Sequence, residues 1–214
     1  MERAIDLYRD CARISNYMFA DTAMEIHKGN MSEIYQKLAD CFEMMAEDID
    51  TAHSENWYYR AVDTRDTLIE LLKDLNDDSD ASLVYRTAVQ YRKNGFVFYH
   101  LDMIPSSQDY FDKSNGLLMS LYNSEYKDDV EDDIIQNYFL KGVIYYENDN
   151  EEKALEYLRK AVSFGERITS GDVSPYYIET LDKLIGILKK DEASNVVEIA
   201  KLTKALKEQS KKLK

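Results

Sequence analysis

The feature that most narrows the folds open to this chain is how rarely it can turn. Its 214 residues include 7 glycines and 2 prolines, too few to supply the tight turns that many short strands require. Between those breaks, apolar residues recur three and four apart with charges between them, the period of a helix buried along one side. With 44% hydrophobic and 32% charged residues there is apolar surface enough for a packed core. Helices therefore have to carry most of the chain.

Residues 2–28 read as one long helix through Ile5, Tyr8, Cys11, Ala12, Tyr17, Met18 and Met24. The stretch "KGN" at 28–30 closes it, and Asn30 with Glu33 has the spacing of a capping box for a second helix running to about His53 through Ile34, Leu38, Phe42 and Met45. A third, through Trp57, Val62, Leu68 and Leu72, is expected from about Asn56 to Leu75, ended by the polar run at 76–82. A fourth spans roughly 82–103, with Gly95 in "KNGFVFYH" a candidate kink. After "IPSSQD", where proline stops one helix and serine caps the next, a fifth occupies about 107–124. The acidic "KDDVEDD" leads into the helix pair of residues 136–168, and a last pair follows "TSGDVSP", at about 175–190 and 193–212. No stretch is rich enough in Pro, Gly or Ser to be a linker, so residues 1–214 are expected to form a single all-α domain of about nine antiparallel helices.

The formal net charge of -14 repels nucleic-acid phosphates and anionic lipid over most of the surface. A protein or peptide, a basic one above all, is the more natural partner, although excess acid also serves simply to keep a helical protein soluble. The charge is uneven, because residues 189–214 hold eight lysines against four acids. Lys201, Lys204, Lys207, Lys211 and Lys214 fall mostly three or four apart, opposite Val196, Ile199, Leu202 and Leu206. Residues 192–214 thus read as a lysine-rich capping helix with a solvated face; contact with phosphate or an acidic partner is the alternative. Cys11 and Cys41 have no CxxC spacing and read as two reduced core thiols, with a single buried pair as the alternative. The start "MERAIDLYRDCARI" has no apolar run of leader length, and no segment approaches the ~20 apolar residues of a membrane span. A cytoplasmic location is expected.

The most informative stretch is "QNYFLKGVIYYENDNEEKALEYLRKAVSFGERI" at 136–168. Tyr138, Gly142 and Tyr145, then Ala154, Leu158 and Ala161, resemble the tetratricopeptide repeat (TPR), a 34-residue helix pair. Glycine and alanine remove bulk where two helices touch, and aromatics fill the space beside them. Asn150 can cap the second helix. Two departures stand out: Lys141 replaces the usual leucine before the glycine, and no proline ends the unit. Weaker echoes occur at 34–45, with Ala39 and Phe42, and at 83–95, with Ala88 and Tyr91. The resemblance implies a TPR-like right-handed superhelix of helical hairpins, in which the first helix of each pair lines a concave surface. Carried onto this unit, the peptide-binding positions are Gln136, Phe139, Val143, Tyr146 and Glu147, an aromatic and acidic groove for an extended or helical peptide. Packing of the same residues against a neighbouring helix is the competing reading. The function implied is a non-enzymatic adaptor, chaperone or inhibitor.

Signals for chemistry are sparse. Of His27, His53 and His100, only Asp50 with His53 approaches a di-iron bundle motif. Asp74, Asn76 and Asp78 begin like a calcium loop, but Ser79 stands where glycine is needed and Tyr85 where the bidentate glutamate should be. No catalytic residue, metal or cofactor is expected. Arg92 and His100 resemble the Arg and His of HEPN ribonucleases, at a longer spacing, which would imply RNA cleavage or binding. Residues 137–162 are similar in rhythm to a helix pair of the 14-3-3 proteins, which would imply phosphopeptide capture; Arg60 and Arg65 are available, but no Arg-Tyr pair follows. Self-association through the tyrosine-rich faces is a third reading.

Overall fold

The computed structural model describes residues 2–22, 25–48, 54–75, 80–167 and 174–212. Its helices are α1 (Glu2–Thr22), α2 (Glu25–Asp48), α3 (Ser54–Leu75), α4 (Ala81–His100), α5 (Ile104–Tyr122), α6 (Lys127–Glu147), α7 (Glu151–Gly165), α8 (Pro175–Leu188) and α9 (Glu192–Lys212), with a 3-10 turn at Lys189–Asp191. No strand occurs among the described residues, as the shortage of turn formers requires. Among those residues α8, at 14 residues, is the shortest of these helices. Two compact units emerge, Met1–Leu117 and Leu118–Lys214, the division falling inside α5.

In the first unit α2 packs against α1 and α3, and α4 against α3. Ile5, Leu38, Phe42, Met45 and Ala61 form one core cluster, with Trp57 stacked on Phe42 at 5.7 Å. Ala46, Tyr58, Val62 and Val97 form another. The break between the first two helices is not at 28–30: α2 runs through "KGN", and Ser32 Oγ donates to the Gly29 carbonyl at 2.7 Å from inside the helix. Asn30 is therefore no cap, because the main-chain groups it would serve already lie within a helix. Tyr17, Met18 and Met24 have side chains outside the described set. Nor is Cys11 a core thiol; it is exposed, Cys41 is half-buried, and both are free.

Gly95 does not interrupt α4. A Cβ there would stand 3.1 Å from the Phe111 ring and 3.2 Å from the Ser107 carbonyl, so the glycine lets α5 approach. α5 begins at Ile104, earlier than expected, since Pro105 has no N–H to lose in a first turn. The N-cap of α4 is Asp80, which accepts from the main-chain N–H of Ser82 at 2.8 Å.

Two polar groups tie this unit together. Arg65 of α3 is fully buried, bonding Asp40 at 3.3 Å and also Glu43, both from α2, while Lys93 of α4 reaches Asp40 at 2.7 Å. Asp66 accepts from Asn94 Nδ2 at 2.9 Å and from the Tyr110 hydroxyl at 3.0 Å. Burial pushes the Asp66 carboxyl above the usual range, with those bonds opposing it; burial and the Asp66 charge hold the Tyr110 phenol well above its own.

The second unit is built on the α6–α7 hairpin, with α7 against α8, α8 against α9, and α6 beside α8. Its core includes Ile135, Leu158, Ala161, Leu181, Leu184 and Leu202. Burying each of these leucine and isoleucine side chains contributes roughly 1.5–3 kcal/mol. The repeat-like residues take the places their pattern predicts. Ala154, Leu158 and Ala161 are completely buried, and a Cβ on Gly142 would lie 2.7 Å from Leu158 Cγ, so the close crossing of α6 and α7 requires glycine. Asn150 Oδ1 accepts from Lys153 N at 3.2 Å, capping α7, and Asp149 takes the left-handed conformation that turns the chain, with φ of 57°. Lys141, the departure from the pattern, is buried with its ammonium 4.4 Å from the centre of the Tyr157 ring. Its stem fills the space a leucine would occupy, and the aromatic face receives the charge.

Candidate peptide-binding face

Along α6, steps of three and four residues place Gln136, Phe139, Val143 and Tyr146 on one side. Along α8 and the 3-10 turn after it, steps of seven put Tyr176, Lys183 and Lys190 on another. The structure brings these two rows together. Gln136 Nε2 donates to the Tyr176 hydroxyl at 2.6 Å, and the Phe139 ring lies 6.3 Å from that of Tyr176. Tyr146 receives two cations, Lys183 Nζ at 4.8 Å and Lys190 Nζ at 4.7 Å from its ring centre. Beyond it Lys190 bonds Glu151 at 2.6 Å, and Glu147 is exposed. Asp132 bonds Ser174 Oγ at the opposite end, and the same oxygen accepts from Tyr177 N at 3.1 Å, capping α8.

The expected residues thus share a face but do not stand open. Gln136, Phe139, Val143 and Tyr146 are all half-buried, and Phe139, Tyr146 and Tyr176 pack on the edge of the core. The neighbouring-helix reading accounts for part of their burial, through α8. The lysines were missed from sequence, although Tyr176, Lys183 and Lys190 at seven-residue intervals carry a legible signal. Lys190 is held above the ordinary lysine range by its bond to Glu151 and by the Tyr146 hydroxyl. What results is a strip of half-exposed aromatic surface with an amide and a phenol at one end and both signs of charge at the other. Such a strip can offer apolar contact and hydrogen bonds to a segment laid along it.

Other expected sites fare differently. Arg65 is engaged by two carboxylates in the interior, and Arg60 lies over the Trp57 ring at 4.7 Å, so the pair does not form an open phosphate cluster. His100 is exposed at the end of α4, its ring parallel to Tyr58 at 5.6 Å and edge-on to Phe96 at 4.5 Å, with Arg92 two turns earlier and half-buried. His53, Asp50 and residues 76–79 of the calcium-like run lie outside the described residues. Among the described residues no group of three or more His, Cys, Asp or Glu is disposed to hold a metal ion, and no helix is long and apolar enough to cross a membrane.

The described residues form an all-α fold, and the α6–α7 helix pair resembles the unit of TPR-like helical-repeat proteins. Among solved structures it is similar to BtubC (BKLC) from P. vanneervenii, at 16% identity over 99% of this chain and 91% of that one, with a TM-score of 0.51. A putative kinesin light chain with nearly identical TPR-like repeats from Podosopora anserina aligns at 10% identity over 98% of this chain and 99% of that one, TM-score 0.43. A de novo designed helical repeat protein, DHR64, aligns at 13% identity over 98% and 99%, TM-score 0.40. At 16% identity the likeness to BtubC is one of fold. No protein-family model matches the chain, and no curated protein matches it.

Proposed function

We propose that the chain is a non-enzymatic protein-binding scaffold, and that it holds a segment of its partner along the strip formed by α6 and α8. The observation that carries this reading is the pairing of rows, with Phe139, Val143 and Tyr146 half-exposed beside Tyr176 and Lys183. Half-exposed aromatics flanked by polar groups act as anchors, because they offer much contact area at little cost in side-chain entropy. The overall charge of -14 favours a partner with basic surface. Locally, Lys183 and Lys190 favour a partner that places an acid beside Tyr146. An adaptor, chaperone or inhibitor role is compatible with this site, and a cytoplasmic location remains part of the proposal. The test is capture of partners by wild-type protein and by Phe139→Ala and Tyr146→Ala variants whose helicity is unchanged by circular dichroism. Loss of the same partner from both variants supports the strip, and equal recovery removes it from consideration.

A further inference from the structure

One helix, α5, belongs to both compact units. Its first turns are held by the first unit: the Tyr110 hydroxyl bonds Asp66 of α3 at 3.0 Å, and Phe111 packs where Gly95 of α4 leaves room. Its last turn is held by the second, where the Tyr122 ring stands 5.4 Å from that of Phe164 in α7. The division between the units falls after Leu117. Just before it stand Ser114, Asn115 and Gly116, three consecutive residues that favour a helix poorly.

Packing does not call for the glycine. Gly95 and Gly142 are hemmed in by close neighbours, whereas Gly116 is exposed and a Cβ on it would meet nothing within 4 Å. Between the buried Phe111 and Leu118, the buried positions of α5 are Ser114 and Asn115, so no fully buried apolar side chain anchors this turn. Helices bend where glycine and serine weaken them, and segments with little apolar burial open first. We propose that α5 is a hinge, opening at residues 114–117 so that the second unit turns against the first while both cores stay packed. The cost is the main-chain hydrogen bonds of about one turn, which water can replace on the exposed side. Every residue of the α6–α8 strip lies in the second unit, so this motion re-aims the strip without altering it.

The experiment is hydrogen–deuterium exchange of the full chain, read residue by residue by NMR, with Gly116→Ala as the variant. Nothing stands where the new methyl would go, so the substitution strengthens the helix and leaves the packing as it is. Wild-type amides of residues 114–118 should exchange at least about tenfold faster than those of 108–111 and 120–122, a pattern that fraying from the ends cannot give. Gly116→Ala should slow the central amides about fivefold and leave the flanks unchanged. A second readout is the spin-label distance distribution between Glu70→Cys and Glu152→Cys, exposed positions in the two units, in a Cys11→Ser/Cys41→Ser chain checked for helicity. It should be broader than that between Glu152→Cys and Lys207→Cys, both in the second unit, and should narrow when Gly116→Ala is added. Central amides as slow as their flanks, an inter-unit distribution no broader than the one within the second unit, or a Gly116→Ala chain matching the wild type in both measurements would each overturn the proposal.

Discussion

Replacing Gly142 by alanine is the most direct probe of the α6–α7 crossing. The new methyl carbon would stand 2.7 Å from Leu158 Cγ, 2.8 Å from its Cδ2 and 3.3 Å from its main-chain nitrogen. Ordinary carbon contacts are about 3.5–4.0 Å, so the helices must part by roughly 1 Å or Leu158 must leave its rotamer. Leu158 is fully buried, and the nearest atom is its branch point, not a tip that can swing aside. Overpacking of this kind costs about 1–3 kcal/mol, against which alanine's better helix propensity returns about 1 kcal/mol. A net loss of up to about 2 kcal/mol is expected, a fall of up to roughly 1 M in the urea midpoint followed by circular dichroism. Two controls sharpen the test. Gly186→Ala on α8, where an added Cβ meets nothing within 4 Å, should instead stabilise by about 0.5–1 kcal/mol. In a Leu158→Ala background, where the obstructing side chain is gone and only the main-chain nitrogen at 3.3 Å stays close, Gly142→Ala should cost much less, a coupling that only neighbours show. A midpoint for Gly142→Ala at or above the wild type would refute the reasoning.

Asn150→Ala should cost about 1 kcal/mol in the same measurement, through loss of the α7 cap. Arg65→Ala should cost more, about 3–5 kcal/mol, since Asp40 and Glu43 would lose their buried partner; a loss under ~1 kcal/mol would show that the cluster is not held as described. Tyr177, buried and close to Glu166 and Glu208, has its phenol pushed up to about 12. The folded chain then keeps a proton that the unfolded chain releases from about pH 10, so stability should fall as pH rises between those values. Tyr177→Phe should flatten that limb in a series of alkaline urea titrations.

Which features were legible follows from how local their causes are. The α6–α7 pair could be read because Gly142, Asn150 and Ala161 act over one hairpin, and their spacing states the contact. The break assigned to "KGN" failed because capping residues only offer an end to a helix. Gly29 and Asn30 are carried inside α2, and an isolated glycine in a helix costs only about 1 kcal/mol, which tertiary contacts override. Lys141 ran against the pattern because its counterpart is the face of Tyr157, a residue whose position matters only once the hairpin has closed. The same limit applied to the candidate site. The α6 half could be carried over from the repeat pattern, whereas Tyr176, Lys183 and Lys190 arrive from a helix some forty residues on and are joined to it only by the fold.

The proposal that α6 and α8 hold the partner is tested most directly by hydrogen–deuterium exchange of the chain with and without a partner recovered by capture. Main-chain exchange should slow across residues 136–147 and 176–190 on addition of the partner, with little change along the buried side of α7. Slowing confined to other helices, with those two segments unaltered, would contradict the account.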